Sequence, residues 1–318
     1  MQRLLAAIIV FGSLGASAQN DPLFSHYMLN PIYQHPGWAG VESESFASTM
    51  VRSQWTGYNP SFDPAGGAPS TQFVNLFVAA RGVIDGFGVS LINDNLGPLN
   101  NIYASFPIAK KFELGYSSLT IGVSPGLISQ TQRFDELRFV DPSDPLNVGT
   151  RQTNIDFNLG AGIVYKSRSG MTTAVSVNNI TQPGFDYGLD TLDIQNTIPR
   201  SYSFLAGYTF LLTRDLNLNP NLQLRSDFNS FTFDAGVVAN YRERGWAGLS
   251  YRLEESVTFL IGYSFLEENK LKVGYAFGYV IDEQEAKQPT SQEFYIRYDL
   301  PDLLFGGRKQ VKTPRFTY

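Results

Sequence analysis

The stretch NIDFNLGAGIVYK, residues 154–166, decides the fold. In an extended chain Ile155, Phe157, Leu159, Ala161, Ile163 and Tyr165 share one face, and Asn154, Asp156, Asn158, Gly160 and Gly162 share the other. Side chains alternate across a strand, so this ribbon has one apolar face and one small or polar face. The same period recurs. Leu216, Leu218, Pro220, Leu222 and Leu224 alternate with Asn217, Asn219, Asn221, Gln223 and Arg225. Phe231, Phe233, Ala235, Val237, Ala239 and Tyr241 form another row, with Thr232, Asp234, Gly236 and Asn240 between them. Rows of the same kind begin at Tyr202, Val257 and Leu271.

These segments are about nine to eleven residues long, the length a tilted strand needs to cross a bilayer. Strands of soluble sandwiches are nearer five or six. The pattern predicts about fourteen of them, an even number as bacterial outer-membrane barrels require. They lie near 45–55, 70–80, 86–94, 101–112, 118–132, 153–166, 171–179, 200–212, 216–225, 231–241, 246–253, 256–266, 270–280 and 293–300. Connection lengths agree. Those after even strands (RGVID, SRSG, TRD, RERG, EENK) are short, whereas 56–69, 133–152, 180–199 and 281–292 are long. Alternating long and short connections are the mark of a barrel with one outward and one periplasmic rim. A pair of soluble β-sandwiches explains neither the strand length nor this asymmetry. The expected fold is therefore all-β: a transmembrane outer-membrane barrel spanning 45–300.

Composition is consistent with that reading. Of 318 residues, 14% are aromatic, with 17 Tyr, 24 Phe and 29 Gly, as pleated surfaces and aromatic girdles favour. Net charge is −5, which argues against a nucleic-acid partner. There is no cysteine, so an exported chain must draw its stability from packing or lipid. Mean hydropathy, −0.14, would by itself suggest a soluble protein. Residues 1–18, MQRLLAAIIVFGSLGASA, follow the charged, apolar, small-residue order of a cleaved signal peptide. No later run reaches the twenty or so apolar residues of a membrane helix.

The inward positions read as small and polar, with scattered charges: Asp156, Asp234, Arg225, Arg252, Lys272 and Arg297. A lumen of this strand number is too wide for wall side chains alone to fill. Residues 19–44, with Phe24, Tyr27, Met28, Tyr33 and Trp38, either plug it or cap its periplasmic mouth. No chemistry of catalysis stands out. The only histidines, His26 and His35, lie in that segment, and His26 beside Ser25 reads as a surface polar residue. Cys and His ligands for a metal are too few. The carboxylates Asp141, Asp144, Asp186, Asp190 and Asp193 lack EF-hand spacing and read as solvated loops. No glycine-rich phosphate loop occurs, so neither enzyme activity nor a cofactor is expected.

The segment QNDPLFSHYMLNPIYQHPGWAG, residues 19–40, resembles the start of the PorP/SprF family of type IX secretion and gliding proteins. Asp21, Pro22, Phe24, Ser25, Tyr27, Met28 and Asn30 match the family's opening run, and residues 35–40, ending in Gly40, stand where its Asn-Pro-Ala-x-Ala-Gly element belongs. RSQWTG (Arg52, Gln54, Trp55, Gly57) is similar to its Arg-x-Gln-Trp-x-Gly, and GAPST (residues 67–71) to the opening of its second strand. IRYDL (Arg297, Tyr298) and TPRF (Pro314, Arg315, Phe316) resemble its closing motifs. Structural uses compete with partner binding at these positions: Trp55 as a girdle aromatic, Arg52 and Arg297 as bridges to inward carboxylates, Gly40 and Gly57 as turn residues.

The barrel reading puts both termini in the periplasm, and the resemblance implies an outer-membrane protein of about this strand number. Its partners would be a surface adhesin or cargo bearing a type B C-terminal domain, and lipoprotein or other periplasmic components of the secretion and gliding complex. The basic tail at 301–318 would be a periplasmic handle. The residues alone leave two other functions open: a diffusion channel lined by Asp156, Asp234, Arg225 and Lys272, and a barrel hydrolase using His26.

Overall fold

The structure, a computed structural model, describes residues 21–58, 67–137, 149–187, 196–281, 288–301 and 303–305. Fourteen long strands follow one another: β1 Ser45–Ser53, β2 Ser70–Ala80, β3 Gly86–Leu96, β4 in two pieces (Leu99–Ser105 and Ile108–Leu114), β5 Ser117–Arg133, β6 Arg151–Lys166 and β7 Met171–Asn178. Then come β8, again in two pieces (Ser201–Tyr208 and Phe210–Leu211), β9 Leu216–Ser226, β10 Phe231–Tyr241, β11 Gly245–Arg252, β12 Ser256–Phe265, β13 Leu271–Val280 and β14 Thr290–Leu300. Each pairs antiparallel with its sequence neighbours. β14 closes on β1 in a register running from Ser45↔Leu300 to Ser53↔Gln292. The sheet therefore has no open edge, the condition lipid imposes on strands that cannot bond to water. Among the described residues no helix is long and apolar enough to cross a membrane.

The alternation holds. On β6, Ile155, Phe157 and Ile163 are exposed to the outside while Val164 is 1% exposed and faces the lumen. Phe259 of β12, 58% exposed, stands between Leu249 and Phe277 on the outer face. A charge on the lipid face costs about 2–4 kcal/mol at mid-bilayer and less toward the interfaces. The Phe259→Arg variant is expected to lose that much stability in urea unfolding from lipid vesicles; an unchanged midpoint would mean that this face does not meet lipid.

Several boundaries differ from the sequence expectation by one to three residues, and three of them have a visible cause. The strand expected at 101–112 is split at Phe106–Pro107, because Pro107 has no N–H for the ladder. Its carbonyl still accepts from Gly88 N at 2.8 Å, and the alternation continues across the break with Ile102, Phe106 and Ile108 outward. The first strand stops at Ser53, ahead of Trp55, whose φ of 48° belongs to a turn. The last begins at Thr290 rather than 293, since Ser291 and Gln292 pair with Gly278 and Phe277.

The two rims differ. Connections after even strands (81–85, 115–116, 167–170, 212–215, 242–244, 266–270) never exceed five residues. At the other rim, 54–69, 134–150, 179–200 and 281–289 are long, though 97–98, 227–230 and 253–255 are tight. β1 starts and β14 ends at the short-turn rim.

The inner wall is less polar than expected. Phe46 and Met50 of β1, Phe73 and Phe77 of β2, Trp246 of β11 and Tyr295 of β14 are large, inward and buried. They are not solvent-facing because the N-terminal segment packs on them: Phe24, Ile32 and Ala39 belong to the same cluster. This barrel's hydrophobic core lies inside its cylinder, between the wall and the chain's own first described residues.

The filled lumen as candidate functional site

Residues 21–42 lie within the barrel, and the exposed Ser43 and Glu44 lead from it into β1. Two short 3-10 turns, Pro31–Tyr33 and Pro36–Gly40, each begin with a proline whose fixed φ suits a tight turn. Around them Phe24 meets Tyr33 edge-on at 5.2 Å, and Phe24 and Tyr33 each lie 5.8 Å from the Phe73 ring. Tyr27 donates its hydroxyl to Asn221 Oδ1, Asn30 Nδ2 donates to Ser48 Oγ at 2.8 Å, and Gln223 Nε2 donates to Gln34 Oε1.

Two wall glycines let the segment sit this close. A Cβ on Gly122 of β5 would lie 2.4 Å from Pro36 O, and one on Gly86 of β3 would lie 1.9 Å from Ala39 O. Backbone meets backbone at both places. Gly40 is used in the same way from the segment's side, where a Cβ would meet Thr120 Cγ2 at 2.6 Å.

His26 is not a surface residue: it is 0% exposed. Its Nδ1 and the Glu293 Oε1 are 2.6 Å apart, its ring stacks on Tyr295 at 5.4 Å, and its backbone N–H also donates to Glu293 Oε1 at 2.9 Å. Ser25 N donates to the other carboxylate oxygen at 2.6 Å. His35 is equally buried and bonds Ser176 Oγ through Nδ1 at 2.8 Å. His26 has a carboxylate at Nδ1 but no hydroxyl bonded to Nε2, and His35 has a hydroxyl at Nδ1 but no carboxylate at Nε2, so neither completes a serine–histidine–carboxylate arrangement among the described residues.

Most of the buried charge gathers in two networks that start on the wall. Asp234 is shared by Arg252 Nε at 2.6 Å and Arg225 Nη2 at 3.2 Å. Glu255, in the turn between β11 and β12, takes Arg252 Nη1 at 3.1 Å and Arg52 Nη2 at 3.3 Å. Burial alone would raise the Glu255 carboxyl; the Arg252 and Arg52 guanidiniums outweigh it and hold it down to about 2. Near the short-turn rim Arg297 Nε meets Asp299 at 2.6 Å, its Nη2 meets Glu42 at 3.2 Å, and its guanidinium lies 3.8 Å from the Phe46 ring centroid. Lys272 joins through Asp299 at 2.7 Å. Among the described residues no group of His, Asp and Glu could hold a metal.

The motif residues do not converge on one site. Asp21 Oδ1 accepts from Asn179 Nδ2 at 3.0 Å, and Asp21 and Pro22 line a small cavity with Tyr33 and Asn158. Arg52 Nη1 donates to Leu23 O, and Gln54 N donates to Pro69 O at 2.9 Å. Trp55 N donates to Ser291 Oγ at 3.2 Å, and Gly57 has φ +90° in the same connection. Tyr298 is 42% exposed on the outer face. Pro314, Arg315 and Phe316, with Asp141, Asp144, Asp190 and Asp193, lie outside the described residues. What sequence reasoning missed is Glu293 and the glycine pair. A carboxylate at an inward strand position was the available signal for the first; nothing distinguished Gly86 and Gly122 from other inward glycines.

The segment also braces the closing seam. Ser48 and Arg52 on β1 and Glu293, Tyr295 and Arg297 on β14 all bond to it or stack on it.

A closed antiparallel barrel with an apolar outer band and a lumen filled by its own chain is an outer-membrane barrel protein. The family model described as "Type IX secretion system membrane protein PorP/SprF" matches residues 16–298, and the chain belongs to that family. Solved barrels share the fold. A Pseudomonas aeruginosa FadL homologue is 14% identical, with TM-score 0.50 over 91% of this chain and 95% of that one. The Ralstonia pickettii toluene transporter TbuX is 10% identical, with TM-score 0.52 over 91% and 96%. A TodX deltaS2S3 mutant monoaromatic hydrocarbon channel is 8% identical, with TM-score 0.53 over 92% and 98%. No curated protein matches the chain.

Proposed function

We propose that this barrel is a non-enzymatic partner of type IX secretion that anchors, or helps export, one surface adhesin or cargo protein with a type B C-terminal domain. The long-loop rim faces outward and meets that protein. The short-turn rim and the tail face the periplasm and the lipoprotein components of the secretion and gliding complex. The observation that carries this reading is the lumen, filled from rim to rim by residues 21–42 and bonded to both seam strands. A barrel so filled offers its rims to partners rather than its bore to solutes.

Rim charge fits two different partners. The long-loop connections carry fourteen carboxylates against three basic side chains, Arg138, Arg200 and Lys287. The short turns and tail carry ten basic against six acidic side chains. An outward partner is expected to present a basic face. Its affinity should fall about tenfold or more as salt rises from about 0.05 to 0.5 M, because screening shortens the reach of exposed charges to a few ångströms. Titrations at the two ionic strengths check this; salt-independent binding would contradict it.

A second reading, a small-solute channel, draws on a cavity of about 180 Å³ lined by Met28, Trp38, Leu205 and Gly207. Deleting the gene separates the two. Loss of one surface protein with unchanged uptake of small solutes supports the anchor. Loss of solute uptake with an intact surface proteome supports the channel.

A further inference from the structure

We propose that the cavity at the short-turn end of the lumen is a binding site for one neutral sugar ring.

The cavity, of about 180 Å³, lies between the N-terminal segment and the short-turn ends of β7 to β10. Gly170 of the turn 167–170, Thr172 near the start of β7 and Asn240 near the end of β10 stand at that level of the wall. It is a recess rather than a passage. Met28 and Trp38 bound it on the inner side, packed on Leu205 of β8 and Val238 of β10, which are both buried. The volume suits one six-membered ring with its substituents, since an apolar cavity of about 150 Å³ takes benzene.

The lining selects among rings. Met28, Trp38, Leu205 and Val238 give the cavity an apolar part, and the C–H face of a pyranose suits the negative face of an aromatic ring. Trp38 is half-buried and held in place: its Nε1 donates to Glu42 Oε1 at 3.3 Å, and Glu42 is tied to Arg297. The polar part is made of uncharged groups, Thr172, Asn219 and Asn240 among them. Among the described residues the Thr172 hydroxyl and the Asn240 amide have no hydrogen-bond partner, and Asn219 engages Asn217 Oδ1 through its Nδ2 at 3.0 Å. A hydrocarbon would strip water from these groups and return nothing. The hydroxyls of a sugar answer donors and acceptors alike. Among the described residues no charged side chain lines the cavity, so nothing there offsets the desolvation of a carboxylate or a phosphate.

Gly207, on the cavity wall, supplies the test. A Cβ there would lie 3.5 Å from Pro220 O and 3.7 Å from Asn221 Cβ, ordinary contacts, so a side chain can enter the cavity without displacing the wall. Asn240→Leu removes an amide at nearly constant volume and keeps the test open if Gly207→Leu misfolds. The purified full-length protein in detergent is titrated with glucose and with N-acetylglucosamine by ligand-detected NMR and calorimetry. Glucuronate and toluene serve as the charged and the hydrocarbon probe. Heat-modifiable gel mobility reports that each variant is folded.

At least one of the two neutral sugars is expected to bind with a Kd of about a millimolar. Gly207→Leu and Asn240→Leu should each weaken it about tenfold or more, and glucuronate and toluene should bind about tenfold more weakly than the sugar. If neither sugar binds, if the folded variants bind as well as the natural protein, or if toluene binds best and Asn240→Leu strengthens it, the proposal is overturned. Binding by the purified protein does not depend on which rim faces the periplasm or on a surface partner. A failure here is therefore distinct from a failure of the anchor reading, which the gene deletion tests.

Discussion

Replacing Gly122 by leucine is expected to drive the N-terminal segment out of the lumen and turn a closed barrel into a conducting one. The new Cβ would lie 2.4 Å from Pro36 O and 2.6 Å from Gly37 N, and the rest of the side chain would point into the same space. Those neighbours are backbone, held by the turn Pro36–Gly40, and cannot swing aside as a side-chain tip can. Overpacking of this kind commonly costs about 1–3 kcal/mol. Gly86→Val adds the same insult where a Cβ would lie 1.9 Å from Ala39 O. The double variant should fold, because both positions keep their strand pairing and the outer face is untouched. Steady current in planar bilayers and protease cleavage between residues 21 and 44 check the prediction. A double variant as closed and as resistant as the natural protein would refute it.

The second large effect is expected from Glu293→Leu. One buried carboxylate accepts from Ser25 N, His26 N and the His26 ring at 2.6, 2.9 and 2.6 Å. Leucine leaves these three buried groups without an acceptor, at about 1–3 kcal/mol each. The loss is capped at the point where the upper part of the segment lets go. His26→Ala should do much less, since both backbone N–H groups keep their carboxylate. Hydrogen exchange of the amides at 24–30 is the readout: strongly accelerated in Glu293→Leu, mildly in His26→Ala. Equal behaviour of the two variants would mean that Glu293 does not hold the backbone.

Much of this was legible in the chain. Lipid on one side and a polar or small surface on the other impose a period of two, and rows such as Ile155 to Tyr165 show it directly. Connection lengths carried the rim asymmetry. Val164, Leu205, Val238 and Leu260 were not legible as lumen residues, because they are apolar where the wall pattern reads polar. For Val164, Leu205 and Val238 the environment is the N-terminal segment, far away in sequence. The same distance hid His26: its partner Glu293 is 267 residues on, and no local pattern links them. Arg52 and Arg297 could be read as bridges to inward carboxylates, and they are; that Glu255 and Glu42 serve them depends on a turn and on the threaded segment.

The segment's role as a permanent filling is the claim on which the functional reading stands. Conductance of the natural, full-length protein in planar lipid bilayers tests it most directly. The account predicts inserted, folded protein with no steady ion current. A stable open-channel current that passes small solutes would contradict it.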